Sequence, residues 1–136
     1  MLIRYGAIVL ADGDRGDAVS GLTLGGQRVV QVEALPGATT VTLFPRGNRA
    51  VTVSFSITRQ HADVPTASAF IIELPDQLKD TALLRLLATG AQGARVERFL
   101  PGACLESYEG RQTGCTTFHR FTFQAATITK TSPKTV

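Results

Sequence analysis

The sequence predicts a mainly β domain, a sandwich or barrel of about seven or eight mostly antiparallel strands with one covering α-helix near residues 65–74. Short alternations of apolar and polar residues, separated by Gly, Pro and Asn, recur along the chain. Thr occupies 17 of the 136 positions, and β-branched residues suit the pleated surface of a sheet. One segment has the apolar spacing of a helix that covers such a sheet.

Length and composition favour one β-rich domain over residues 1–129 and a flexible tail over residues 130–136. The chain has a mass of 14.5 kDa, with 43% hydrophobic and 18% charged residues. Such a chain can form a core and is unlike disordered proteins, which are poor in apolar residues and rich in charge. No apolar run approaches about 18 residues, so we expect neither a membrane span nor a membrane partner.

The first elements are a strand at residues 2–10 and a polar, Gly-rich loop at Asp12–Asp17. Arg4 and Gly6 interrupt the apolar run, so we interpret this segment as a strand and expect no export signal. The acidic loop lacks the ligand spacing of a calcium-binding EF-hand. It is therefore expected to be a solvated turn.

The middle of the chain predicts three strands separated by two turns. The strands are residues 27–35, Thr39–Phe44 and Ala50–Arg59, and the turns are Pro36-Gly37 and Pro45–Asn48. The last strand has the clearest pattern, because apolar residues alternate with Thr and Ser from Val51 to Thr58. This pattern is typical of a strand with one buried face and one wet face.

A helix is predicted from Pro65 to Leu74. Asp63 is a suitable N-cap, and Pro65 suits the first turn. Apolar residues recur at helical spacing, and Pro75 interrupts the pattern; the apolar stripe is Ala67, Phe70, Ile71, Leu74 and Leu78. Residues 81–89 fit either a helix or a buried strand, and we favour the strand.

The last third predicts strands at Ala94–Leu100, Ala103–Tyr108 and Thr116–Ile128, with Pro101-Gly102 between the first two. A symmetric hairpin around Glu109–Gly114 pairs Tyr108 with Cys115 and Cys104 with His119. In that register the two sulfur atoms are about 13 Å apart, at about 3.3 Å per residue. This distance exceeds disulfide reach, so we predict two free thiols.

Three residues are the candidates for catalysis: His61, Asp63 and His119. An imidazole near a carboxylate can act as a general base, but no nucleophile motif accompanies the pair, and Asp63 is explained by helix capping. Cys115 and His119 are too far apart on a strand to share one metal ion. The glycines at positions 21–26 lack a phosphate-binding motif. We therefore expect no catalytic residues, no cofactor and no metal.

The net charge of +3 comes from eleven Arg against three Lys, set against 11 acidic residues. After Glu109 the chain has basic but no acidic residues, namely Arg111, Arg120, Lys130 and Lys134. A solvated edge and tail explain this charge. An alternative function is a small basic β-barrel module that binds nucleic acid through the strand around Arg120 and Phe121. Phe121 and Phe123 are also what a buried strand face needs.

The order of three segments resembles a known group of proteins: Gly47–Arg59, then Ala67–Pro75, then Gly114–Phe123. It is similar to small structural proteins of long-tailed phages and prophages, in the tail-tube and distal-tail group, over residues 27–129. The resemblance implies a sandwich or barrel with one covering helix and no catalytic residues. It also implies homo-oligomeric rings that join other tail proteins, in the host cytoplasm during assembly and in the virion tail afterwards. The sequence shows no obvious long arm of the kind some ring subunits use to bind neighbours.

Overall fold

Seven antiparallel strands and one α-helix form the part of the chain that the computed structural model describes, residues 1–33 and 42–131. Side chains are described for residues 1–26 and 50–131. This architecture confirms the predicted fold class. The strands are β1 (Leu2–Tyr5), β2 (Ile8–Asp12), β3 (Ala18–Glu33), β4 (Thr42–Gln60), β5 (Ala82–Thr89), β6 (Arg95–Thr113) and β7 (Thr116–Ala125), and the helix is α1 (Val64–Gln77).

The strands form one sheet in the order β2-β1-β5-β6-β7-β4-β3. The long strand β6 joins the two halves of this sheet. Its first part, up to Ala103, pairs with β5, and its second part, from Cys104, pairs with β7. Pro101 and Gly102 lie where the pairing changes sides, and Gly102 has a φ of 61° that favours glycine. The strand therefore bends there without ending, whereas the sequence predicted two separate strands.

The two edge strands of the sheet, β2 and β3, follow each other directly in the chain. Residues 13–17 connect them, and Gly13–Arg15 form a single 3₁₀ turn. The Asp17 amide donates to the Asp12 carbonyl at 3.2 Å, and the Asp12 amide donates to the Asp17 carboxylate at 3.1 Å. The sheet consequently curls until the end of β2 and the start of β3 meet at this corner. In the described residues no ladder joins these two strands beyond the corner, so the barrel is only partly closed.

The core lies inside the rolled sheet and follows the alternation predicted for β4. Val51, Val53, Phe55 and Ile57 are buried, while the Thr and Ser residues between them are partly exposed. Phe55 lies against Phe121 with ring centroids 5.3 Å apart, and Tyr5 lies against Phe123 at 4.9 Å. Aromatic contacts thus join the two halves of the sheet across the interior.

Helix α1 begins at the predicted cap and extends one turn beyond the predicted end. An Asp63 carboxylate oxygen accepts from the Thr66 amide at 2.8 Å. Ala67, Leu74 and Leu78 are buried, as their spacing predicted. Pro75 lies inside the helix, in its last turn, where it removes only one backbone hydrogen bond. The burial of Leu74 and Leu78 on either side holds this turn in place.

Several predicted strand limits change. Residues 2–10 form two strands, because the chain turns at Gly6, where φ is 60°. Residues 81–89 contain strand β5, as favoured. The predicted turn at Pro45–Asn48 is wrong, since β4 runs through it. Three parts of the prediction lie outside the described residues. They are the turn at Pro36-Gly37, residues 34–35 and 39–41 of the adjoining strands, and residues 132–136 of the tail.

The β6–β7 hairpin has a different register from the predicted one. Its turn is Gly114-Cys115, and Gly114 has the positive φ of 61° that a type II′ turn requires at its first central position. Tyr108 therefore pairs with Phe121, and Cys104 pairs with Gln124. Both cysteines are free, which confirms the predicted thiols although the register behind that prediction was wrong.

Removal of a core ring is expected to destabilise the fold strongly. Phe123→Ala takes away a fully buried ring that contacts Tyr5, Phe55 and Phe121, so the free energy of unfolding should fall by about 3–5 kcal/mol. Urea denaturation followed by circular dichroism measures this change. Phe118→Ala is the matched control, because it removes the same ring from the outward face of the same strand. Equal losses in the two variants would contradict the assigned core.

Candidate functional site

A polar network lies under helix α1 on the inward face of β7. Its centre is the Thr117 hydroxyl, 2.7 Å from the Nε2 atom of His119 and 2.8 Å from the Nε2 atom of His61. The Tyr108 hydroxyl lies 2.8 Å from the other ring nitrogen of His119. Thr117 is 0% exposed and His119 3%. We call these four residues the histidine network.

The hydrogen bonds of the histidine network can all form with both imidazoles neutral. In one arrangement Tyr108 donates to His119 Nδ1, His119 donates from Nε2 to Thr117, and the Thr117 hydroxyl donates to His61; the chain of donors can also run in the opposite direction. Since Thr117 has a single hydroxyl hydrogen, at least one Nε2 atom must carry a proton. Buried polar groups are stabilising only when they are bonded in this way, so the network is a satisfied part of the core.

The ring of Phe70, from α1, covers the histidine network. Its centroid lies 5.0 Å from that of His61 and 5.2 Å from that of His119. The Arg59 guanidinium lies over the same ring, with its carbon 4.8 Å from the centroid. The helix therefore shields the imidazoles from water and contributes a cation–π contact on the same ring.

Arg59 also forms the ion pair that holds the corner between β2 and β3. Its Nη2 atom lies 2.9 Å from an Asp17 carboxylate oxygen and donates to the Leu10 carbonyl at 3.1 Å. The Asp17 side chain is only 4% exposed. The expectation of a solvated turn at Asp12–Asp17 is thus wrong for Asp17, although Asp14 at the turn is exposed.

Burial shifts the pKa values of the network. Burial, aided by the nearby charge of Arg59, lowers the pKa of His119 from 6.5 to about 4. Burial also lowers the pKa of His61, again with Arg59 as the second cause. Burial raises the pKa of Tyr108 to about 12. All three shifts favour the neutral form, which agrees with the proton arrangement above.

The structure brings together two of the three residues that the sequence singled out for catalysis. His61 and His119 meet at Thr117, while the Asp63 carboxylate caps the helix and bonds to a different partner. The hydroxyl between the imidazoles is fully buried, so a substrate cannot reach it. Among the side chains of residues 1–26 and 50–131, no three His, Cys, Asp or Glu residues come close enough to hold a metal ion.

Sequence reasoning missed Thr117, Tyr108, Arg59 and Phe70. A usable signal exists for the first of these, because Thr117 and His119 share the inward face with Phe121 and Phe123 by the period of two. The roles of Arg59 and Phe70 depend on contacts with distant parts of the chain. These contacts form only when α1 packs onto the sheet, so no short sequence pattern indicates them.

The outward face of the same sheet carries a pocket of about 300 Å³. Arg111 lies over the ring of Phe118, with its guanidinium carbon 4.9 Å from the ring centroid. Seven residues with outward side chains contribute to it, and we call it the sheet pocket: Ser20, Ser56, Thr58, Glu109, Arg111, Phe118 and Arg120. Phe121, the aromatic residue of the alternative nucleic-acid function, is buried together with Phe123, as expected for a strand face that packs in the core. Phe118 takes their place on the exposed side.

Strands β3 and β4 continue past the rest of the sheet as a two-stranded ribbon. β7 pairs with β4 only along Val51–Gln60, whereas β3 pairs with β4 out to Glu33 and Thr42. Residues 42–50 of β4 span about 30 Å at about 3.3 Å per residue. This ribbon departs from the expectation of no obvious long arm, because the segment predicted as a turn at Pro45–Asn48 is part of strand β4.

The comparisons with known proteins bear on the fold. No family model matches the chain, and no curated protein does. A solved structure is similar: the cryo-EM structure of the anti-feeding prophage cap, the cap that terminates the tube. The TM-score is 0.51 at 11% sequence identity, over 94% of this chain and 85% of that one. The likeness shows that the two chains share a fold.

Membrane insertion through helices finds no support in the described residues. The helices there are too short or too polar to cross a bilayer.

The histidine network is expected to make stability depend on pH. Because the pKa of His119 is about 4 in the folded chain and ordinarily 6.5, the unfolded chain binds an extra proton between these values. Stability therefore falls as the pH drops from about 6.5 to 4, by about 3 kcal/mol for this group. Urea denaturation at several pH values measures the slope. His119→Gln should flatten it, and an unchanged slope in that variant would assign the dependence to other groups.

Proposed function

We propose that this chain is a non-enzymatic structural protein of a phage or prophage tail, of the tail-tube or distal-tail kind, which assembles into homo-oligomeric rings through strand edges. The fold shared with a tube-terminating prophage cap over nearly the whole chain is the observation that carries this proposal. Fold alone does not fix function, so the proposal also uses two features of this chain's own surface.

The first feature is the free edge of β3. This strand is 16 residues long and forms one end of the sheet order. A long edge strand offers backbone hydrogen bonds to another chain. The pairing of β3 with β4 shifts register between Ser20 and Thr23 and again after Gly26, and the regular stretch between these shifts is Thr23–Gly26. Leu22 and Leu24 on β3 are 45% and 52% exposed. A neighbouring copy that pairs with this edge would cover both side chains.

The second feature is the inaccessible interior. The histidine network is the most distinctive polar cluster of the described side chains, and its central hydroxyl is fully buried. A structural role explains it, since it ties α1 to the sheet. In this proposal residues 1–129 act as one domain with a flexible tail at 130–136. The partners are other copies and other tail proteins, in the host cytoplasm during assembly and in the tail afterwards.

Charges placed on the β3 edge are expected to prevent assembly. Leu22→Lys combined with Leu24→Lys adds two cations to the edge. A neighbouring strand that paired there would bury both lysines, and this burial costs enough free energy to disfavour the contact. The parent chain should form rings visible by electron microscopy, with a sedimentation mass of several times 14.5 kDa, and the double variant should sediment as a monomer.

Val96→Lys is the matched control, since Val96 is 49% exposed on a different strand. This variant should assemble like the parent. A parent chain that stays monomeric at high concentration and in mixtures with tail proteins would contradict the proposed function. If all variants assemble equally, ring formation still holds, but the β3 edge is excluded as the contact between copies.

Nucleic-acid binding is a second candidate function, and the sheet pocket is the observation that favours it. Arg111 and Phe118 together offer a cation and an aromatic surface of the kind that binds single strands. This function predicts binding of oligonucleotides at low salt, with log affinity falling linearly in log salt concentration. Arg111→Ala should weaken binding and reduce that slope by about one. Absence of binding at low salt would remove this candidate.

A further inference from the structure

We propose that the outer face of helix α1 in one copy docks into the sheet pocket of the next copy. This inference rests on the proposed ring assembly and adds a second contact to the β3 edge. It identifies the occupant of the pocket as an acidic helix of the same chain. Its support comes from the charges of the two surfaces and from the directions in which they face.

The sheet pocket presents two arginines that form no ion pair with any other side chain that the structure describes. Arg111 and Arg120 are both exposed, and the ion pairs among the described residues use Arg15, Arg59 and Arg85 instead. Glu109 lies opposite Arg120 in the ladder and contributes one negative charge to the rim. A guanidinium stacked on an aromatic ring keeps its N–H groups free to donate to a carboxylate. The pocket therefore suits a ligand that carries carboxylates beside an apolar group.

The outer face of α1 has that chemistry. Ala69, Ile72, Glu73 and Asp76 are exposed and recur at i, i+3, i+4 and i+7, so they share one side of the helix. Ile72 is 74% exposed. A lone exposed isoleucine is ordinary on a protein surface; this one lies beside two carboxylates, Glu73 at the next position and Asp76 one turn further along the helix. Asp80 adds a third carboxylate just beyond the helix, and Lys79 is the cation beside it.

The two surfaces point away from each other across one sheet. The helix lies against the inward face of β7, where Phe70 contacts His119. Phe118 and Arg120, the neighbours of His119 along that strand, point outward into the pocket. A subunit with complementary patches on opposite sides associates head to tail, and such a contact closes into a ring when its rotation divides a full turn. The arrangement matches what a ring subunit needs.

Charge reversal on either surface is expected to break the contact. The pocket variant is Arg111→Glu with Arg120→Glu, and the helix variant is Glu73→Lys with Asp76→Lys. In each, like charges face each other across the contact, so self-association measured by sedimentation velocity should weaken by at least about tenfold. Arg95→Glu with Lys130→Glu is the control for the pocket variant, because it makes the same change of net charge at exposed sites outside the pocket.

Mixing the two variants is the decisive experiment. The acidic helix of the pocket variant then meets the basic pocket of the helix variant, and the basic helix of the helix variant meets the acidic pocket of the pocket variant. An equimolar mixture should therefore assemble again, as should a chain with all four substitutions. Recovery also demonstrates that both variants fold.

A cross-link provides an independent test of the same contact. A chain with Ile72→Cys and Phe118→Cys, and with Cys104 and Cys115 replaced by Ser, should form disulfides between copies on oxidation. Electrophoresis without reductant should then show a ladder of covalent oligomers.

The possible results separate this inference from the function on which it rests. Parent rings together with intact assembly of both reversed variants would overturn the helix contact and leave ring formation standing. A parent chain that never assembles would overturn both. If the pocket variant assembles normally but loses oligonucleotide binding, the pocket belongs to the nucleic-acid function, and the helix contact is wrong. Loss in each variant with recovery on mixing supports the inference.

Discussion

The connection from β2 to β3 is the constraint on which the rest of the structure depends. These strands are the two edges of a seven-stranded sheet, yet residues 13–17 alone separate them. A chain of that length cannot cross the width of a flat sheet, since neighbouring strands are about 4.8 Å apart. The sheet must therefore curl, and the ion pair of Asp17 with Arg59 fixes the corner where its edges meet. The inside of the curl becomes the core.

The corner between β2 and β3 also accounts for the position of the Asp17–Arg59 ion pair and of His61 and His119 near the helix. A curled sheet leaves an open side, and α1 covers it with Phe70 against His61 and His119. Arg59 serves both features, because its guanidinium bonds to Asp17 and lies over Phe70. A buried ion pair is weak evidence for added stability. Here the Arg59 side chain, on β4, contacts Asp17 just before β3, the Leu10 carbonyl of β2 and the Phe70 ring of the helix, so one residue connects four parts of the fold.

Local periodicity led to the correct predictions, whereas the errors arise from one turn residue and from contacts between distant parts of the chain. The alternation from Val51 to Thr58 and the helical stripe from Ala67 to Leu78 each depend on one element, so they could be predicted from the sequence. The hairpin register depends on the positive φ of Gly114, and the burial of Asp17 depends on Arg59, 42 residues away. The ribbon runs through Pro45, whose strand pairing next to a bulge has no local signature.

Strand β7 shows why the surface of this molecule is a better guide to function than its reactive groups. Its inward positions hold Thr117, His119, Phe121 and Phe123, and every one of them is buried. The outward positions between them carry Phe118 and Arg120 to the sheet pocket. Because the period of a strand is two, the two sets can change independently: the inward set fixes the fold, and the outward set is free to meet a partner. The proposed ring subunit would use this separation, since its contacts must be exposed before the next copy covers them.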